Sequence, residues 1–208
     1  MIAVFGGTFD PVHFAHLKMA QAVRVALGVD ELRLLPCGRP PHRVPTEASV
    51  EQRRSMLEMA LEDQPGLIMD DRELSRPGPS YMVDTLASMR QQYPADPIVL
   101  IMGLDALSAL HRWHHWQDLF QYAHILVLGR PGYKASENKV LSSFLSSRWS
   151  QDLADLSSHP SGRIISLDLG LIDVSSTQIR DKIAHGEDVS TLLPQTVYEY
   201  IQAQGLYT

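Results

Sequence analysis

Of the 208 residues, a single one, Cys37, is cysteine. No intramolecular disulfide can form, and the paired-cysteine spacings of zinc and redox motifs are excluded. Long apolar runs are missing too: none approaches the roughly 20 residues needed to span a bilayer. The N-terminus enters a strand at Ile2 without the basic and apolar regions of a secretory leader. Positive charge is in deficit, with 18 Lys and Arg against 24 Asp and Glu and a formal net charge of -6. That balance argues against non-specific affinity for nucleic acid or an anionic membrane. A cytoplasmic protein is the simplest expectation, and any small anionic ligand needs a local basic cluster.

What is present is a chain able to bury a core, with 44% hydrophobic residues. The expected organisation is one domain over 1–208, with residues from about 171 to 208 as a C-terminal helical subdomain. No internal repeat or low-complexity tract interrupts it. Strands are expected at Ile2–Phe5, Glu31–Leu35, Leu67–Met69, Ile98–Met102, Ile125–Leu128 and Arg163–Leu169. Ile98-Val-Leu-Ile-Met102, bounded by Pro97 and Gly103, is the clearest and reads as buried on both faces. Helices are expected from Pro11 to Leu27, Val50 to Asp63, Tyr81 to Gln92 with Ser80 as its cap, around Val140 to Trp149, Ser175 to His185 and Pro194 to Gln204, with short helices in Leu104–Phe120. The pattern is weakest from Tyr133 to Gly162. Strands alternating with helices predict an α/β fold, a doubly wound Rossmann-like parallel sheet with helices on both faces and a small helical segment at the C-terminus. In such a sheet the loops that follow strands converge on one crevice.

The first of those loops is the most distinctive: Gly6-Gly7-Thr8-Phe9-Asp10-Pro11-Val12-His13-Phe14-Ala15-His16. Two glycines suggest a turn that side chains would obstruct, and Asp10-Pro11 suggests an N-cap and first helical residue. His13 and His16 then lie three apart on one helical face. Strand, turn and helix N-terminus together make an anion site, since unpaired N–H groups and the positive dipole end point outward. A histidine there is disfavoured as a cation until a polyanion arrives. Each histidine alone is more simply a polar residue near the surface; the combination is the specific signal. There is no G-x-G-x-x-G, so a dehydrogenase-type dinucleotide site is not indicated.

This stretch resembles the HxGH signature of the nucleotidylyltransferase superfamily, with Ala15 where glycine is usual. The second signature of that superfamily has its counterpart in Ser175-Ser176-Thr177-Gln178-Ile179-Arg180. Read plainly, Ser175 and Gln178 form a capping box and Ile179 with Ile183 a core stripe, which leaves Thr177 and Arg180 unassigned. The resemblance implies that His13, His16 and Arg180 are catalytic. It also implies that ATP is bound by Gly6, Gly7, Thr8, Phe9, His42, Arg43, Ser175, Ser176 and Thr177, with Mg²⁺ held chiefly by phosphate oxygens and water.

Nearly the whole chain, including Pro40-Pro41-His42-Arg43, Pro79-Ser80-Tyr81, Gly103-Leu104-Asp105 and Arg130-Pro131-Gly132-Tyr133, resembles bacterial nicotinate mononucleotide adenylyltransferases. That likeness implies transfer of the adenylyl group of ATP to nicotinic acid mononucleotide. The acceptor would be met by Tyr81, Met82, Asp105, Trp113 and Arg130. Trp113 is suited to stacking on a pyridine ring and Arg130 to a phosphate. Met82 stands where the family more often has threonine. Trp116 reads as packing. Asp10 and Asp105, with the resemblance set aside, read as N-caps. His111, His114 and His115 lack acidic or cysteine neighbours, so no protein-built metal site is expected. Nicotinamide mononucleotide or phosphopantetheine as acceptor, or ATP binding without catalysis, are the alternatives. The sequence leaves the oligomeric state open, a homo-oligomer included.

Overall fold

The computed structural model describes residues 1–39, 46–129, 138–170 and 174–208. Six parallel strands form one sheet: β1 (Ile2–Gly7), β2 (Leu32–Pro36), β3 (Leu67–Met69), β4 (Ile98–Gly103), β5 (His124–Leu128) and β6 (Ile164–Leu167), in the spatial order 3-2-1-4-5-6. Nine α-helices are placed among the described residues: α1 (Phe14–Leu27), α2 (Val50–Leu61), α3 (Met82–Gln92), α4 (Leu104–Ser108), α5 (Leu119–Tyr122), α6 (Lys139–Ser146), α7 (Asp155–Ser158), α8 (Ser176–Ala184) and α9 (Gln195–Gln204). This is the doubly wound Rossmann-like architecture expected from the alternation of strands and helices. No helix among the described residues is long and apolar enough to cross a membrane.

Strand side chains alternate between faces, so each strand feeds two cores. Ala3, Leu32, Leu34, Val99, Ile101, Leu126 and Ile165 pack on one face with Leu17, Ala20 and Val23 of α1, Met56 and Leu57 of α2, and Ile179, Ile183, Val197 and Ile201 of α8 and α9. Val4, Leu35, Leu100, Met102, Ile125 and Val127 pack on the other with Val83, Leu86 and Met89 of α3 and Leu107 of α4. The serine-rich stretch of weak pattern still contributes Leu141 and Leu145 to one core and Leu156 to the other. Its helix ends at Ser146, earlier than expected, and Trp149 instead bridges in parallel to Ile164.

Three local readings of helix caps are overruled, the first two by long-range partners. α1 begins at Phe14 with His13 as N-cap, because Asp10 does not cap it: its buried carboxylate accepts from Glu47 N, Ala48 N and the hydroxyl of Tyr207. Ser80 does not cap α3; its Oγ accepts from Arg39 N and its own N–H donates to the Arg39 carbonyl, so Tyr81 becomes the N-cap. The N-cap of α4 is Gly103, and Asp105 lies inside the first turn.

The parallel register puts the ends of β1, β2, β4 and β5 along one edge, with Gly7 beside Pro36 and Gly103 beside Leu128. Strand order reverses between β1 and β4, and a crevice outside that point is where such sheets bind ligands. At the far edge Arg90 ties the chain together, donating to the carbonyls of Tyr93, Asp96, Tyr122 and Pro160.

Tyr207 tests how much the last residues stabilise the fold. Its ring is buried and its hydroxyl donates to Asp10 Oδ1 at 2.7 Å, with the phenol held well above its ordinary pKa by burial and then by that bond. Tyr207→Phe leaves a buried carboxylate oxygen with one donor fewer and should cost about 1–3 kcal/mol in urea denaturation. An unchanged midpoint would mean that the Tyr207 hydroxyl contributes nothing to stability.

Candidate active site

The turn after β1 is built differently from the glycine turn expected. Gly6 and Gly7 are the last strand residues and neither has a positive φ; the left-handed residue is Phe9, at φ 52°. Glycine is required by close approach instead. A Cβ on Gly7 would lie 2.8 Å from the Phe9 ring, and one on Gly6 would lie 3.1 Å from Met82 Cε. The Phe9 ring is buried, edge-on to His16 at 5.0 Å and to Phe5 at 6.2 Å, so its side chain supports the turn from beneath.

His13 and His16 stack with ring centroids 3.7 Å apart and 25° between planes. The Nδ1 atoms of both are buried and without a hydrogen-bond partner. Burial lowers the His13 pKa to about 4; burial and then the neighbouring His13 push His16 well below its ordinary value. Both rings are therefore neutral at pH 7. They sit at the N-terminus of α1, which has no side-chain cap, so protonation there opposes both the desolvated site and the helix dipole. An anion reverses that balance.

The Ser175–Arg180 segment reaches this turn directly. Ser175 and Gln178 form both halves of the capping box, as the spacing requires. Ser176 Oγ donates to the Pro11 carbonyl at 3.0 Å, and Arg180 Nη1 to the Asp10 carbonyl at 2.9 Å, across 165 and 170 residues of sequence. Arg180 Nε also donates to Glu47 Oε1 at 2.7 Å. Thr177 is exposed beside them. Two motifs from opposite ends of the chain thus share one site.

A second cation lies beneath it, one that sequence reading passed over. Arg53 on α2 is fully buried and donates to the carbonyls of Thr8, Cys37 and Gly38 at 2.8, 2.6 and 2.9 Å. The signal was available: Arg53 occupies the apolar stripe of Met56, Leu57 and Ala60, where a cation is out of place unless it is paired.

The remaining site candidates are divided. Tyr81 at the N-terminus of α3 stacks on His114 with centroids 4.3 Å apart. Met82 lies over the end of β1, linking this side to the phosphate turn. Trp113 is half-buried against the second core, whereas Trp116 packs edge-on to Phe144 at 4.8 Å. Asp105 is exposed just beyond β4. His42, Arg43 and Arg130 lie outside the described residues. Among the described residues no group of three His, Cys, Asp or Glu side chains converges as a metal site, and the Asp10 carboxylate is already engaged by three donors.

A parallel sheet whose switch point brings together two stacked histidines and an arginine from the opposite end of the chain fits a nucleotidyltransferase class of α/β protein. Residues 4–182 match the family described as cytidylyltransferase-like, and the chain belongs to that family. A protein of Methylococcus capsulatus named "Probable nicotinate-nucleotide adenylyltransferase" is 46% identical over 208 residues, covering 100% of this chain and 99% of the relative. One of the same name from Aeromonas hydrophila is 43% identical, covering 99% and 96%. The Plasmodium falciparum nicotinic acid mononucleotide adenylyltransferase complexed with NaAD superposes with TM-score 0.75 over 99% of this chain and 96% of that one, at 16% identity, and shares the fold.

The stacked histidines give a direct expectation. The unfolded chain protonates His13 near its ordinary 6.5 and the folded chain only near 4, so stability is lost as pH falls through that window. For His13 alone the loss is about 2 kcal/mol between pH 7 and pH 5. Histidine NMR titration of the ligand-free protein should find the His13 midpoint near 4. A midpoint at the ordinary value would remove the desolvated, neutral pair from the account.

Proposed function

We propose that this protein is a nicotinate-nucleotide adenylyltransferase, acting as one domain over 1–208. It moves the adenylyl group of ATP to the 5′-phosphate of nicotinic acid mononucleotide and releases pyrophosphate and deamido-NAD. The observation that carries this reading is the contact of Ser176 and Arg180 with the Pro11 and Asp10 carbonyls, which joins the two motifs into one clamp beside neutral stacked histidines. The near full-length relatives at 43–46% identity support the choice of acceptor.

An acceptor phosphate oxygen forms the new bond to the α-phosphorus while the bond to the β-phosphate oxygen breaks, its electron pair leaving with pyrophosphate. The acceptor phosphate is already ionised at neutral pH, so no catalytic base or covalent intermediate is needed. Positioning and charge stabilisation supply the rate. His16 meets the α-phosphate and His13 its neighbours, donating imidazole N–H groups as charge develops. Arg180, with two of its five N–H donors engaged by Glu47 and Asp10, turns the rest of its fork to the leaving phosphates with Ser176 and Thr177. Gly6 to Phe9 contribute backbone, and His42 and Arg43 are further donors to the triphosphate. Mg²⁺, held chiefly by phosphate oxygens and water, would supply neutralisation of part of the triphosphate charge. Tyr81, Met82, Asp105, Trp113 and Arg130 form the acceptor side.

Pyrophosphate release with ATP and Mg²⁺ tests this. Nicotinic acid mononucleotide should support fast release, with nicotinamide mononucleotide slower and phosphopantetheine inactive. Release only with phosphopantetheine would overturn the acceptor, and none with any of the three would leave a binding module. His16→Ala should lower kcat by about 10²–10³ with a small change in KM for ATP, since its donation strengthens in the transition state. A variant with near-normal kcat would take His16 out of the chemistry.

A further inference from the structure

Among the described residues Arg53 is the largest fully buried side chain, and the proposed chemistry does not use it. Burial lowers the pKa of its guanidinium, while Cys37 and Asp10 nearby act in the opposite direction. It remains a cation at neutral pH, since arginine does not deprotonate in proteins. Holding a cation in the interior is costly, and the Arg53 Nε is buried without a partner, so the arrangement is not optimised for stability alone. Its three acceptors come from two loops: Thr8 follows β1, and Cys37 and Gly38 follow β2.

The geometry of the peptide unit gives this clamp a direction. Carbonyl and following N–H point oppositely across a trans peptide plane. With the Thr8, Cys37 and Gly38 carbonyls turned onto the guanidinium, the N–H groups of Phe9, Gly38 and Arg39 are turned away from it. The Arg39 N–H is taken by Ser80 Oγ at 3.1 Å. Those of Phe9 and Gly38 stay directed to the side opposite the cation, at the strand ends where the triphosphate is placed.

We propose that Arg53 is a positioning residue for the nucleotide half of the site: it holds the loops after β1 and β2 so that the Phe9 and Gly38 N–H groups face the triphosphate. It touches no substrate itself. The inference rests on the reading of this edge as an ATP site. It also predicts a division, because the acceptor-side residues on α3 and α4 receive no bond from Arg53.

Calorimetry of ATP and, separately, of nicotinic acid mononucleotide with the full chain tests that division. Arg53→Lys keeps the charge but one ammonium cannot serve three carbonyls from two loops. It should weaken ATP binding about tenfold, the loss of one or two well-made hydrogen bonds, and leave mononucleotide binding within about twofold. Arg53→Met should weaken ATP binding further. Arg90→Met removes a clamp of the same kind at the opposite sheet edge and should lower Tm without an ATP-selective loss. Should the Arg53 variants not fold, amide exchange of the wild-type protein decides: ATP, and not the mononucleotide, should slow exchange at Phe9 and Gly38. Equal losses for both ligands, the same ATP-selective loss in Arg90→Met, or no ATP protection at either amide overturns the inference. ATP binding with this pattern but no pyrophosphate release with any acceptor would overturn the adenylyltransferase reading and leave Arg53 in its role. A wild-type chain that binds no ATP overturns both.

Discussion

A buried carboxylate must find donors, and that of Asp10 finds them in two distant places. Glu47 and Ala48 supply backbone N–H groups and Tyr207 a hydroxyl, while the carbonyl of the same residue accepts from Arg180. The start of the chain, the segment before α2 and the last residues are thereby fixed to one another. Removing any one of the carboxylate's partners leaves a buried anion with a donor fewer, which costs more than the bond itself contributes. Because Asp10 lies between the β1 turn and His13, the same bonds that satisfy it also set where the phosphate turn and the histidines stand. Satisfaction of one buried charge and assembly of the site are one event.

The local charges follow the needs of an anion site in a protein of net charge -6. His13 and His16 are kept neutral by burial, and each other's presence makes protonation harder still for His16. Arg53 is hidden below the loops, and Arg180 is partly neutralised by Glu47. Among the described residues of the proposed site, the arginines are thus buried or already paired. In the proposed function, a triphosphate would bring enough negative charge to compete with Glu47 for Arg180 and to draw hydrogen bonds from both imidazoles.

Much of this was readable in the letters because the physics was local. The run Ile98 to Met102 between a proline and a glycine could only be a buried strand, and it is the centre of the sheet beside β1. The capping box at Ser175 placed α8 to the residue, since both its bonds lie within four residues. Errors arose where a residue's partner is far away. Asp10 and Ser80 carry the correct chemistry for helix caps, yet Glu47, Tyr207 and Arg39 claim them first. Gly6 and Gly7 suggested a turn because the pressure of Phe9 and Met82 on their empty Cβ positions is a tertiary fact. Arg53 was overlooked because its neighbours define an apolar stripe, and only the three carbonyls facing it reveal what it holds.

The central claim is that two motifs at opposite ends of the chain act as one polyphosphate clamp. The most direct test is NMR of the histidine rings and the arginine Nε groups during an ATP titration. His13, His16 and Arg180 should shift together along a single saturation curve, and nicotinic acid mononucleotide alone should leave all three in place. Shifts confined to the histidines, or to Arg180, would show that the two motifs do not share one ligand.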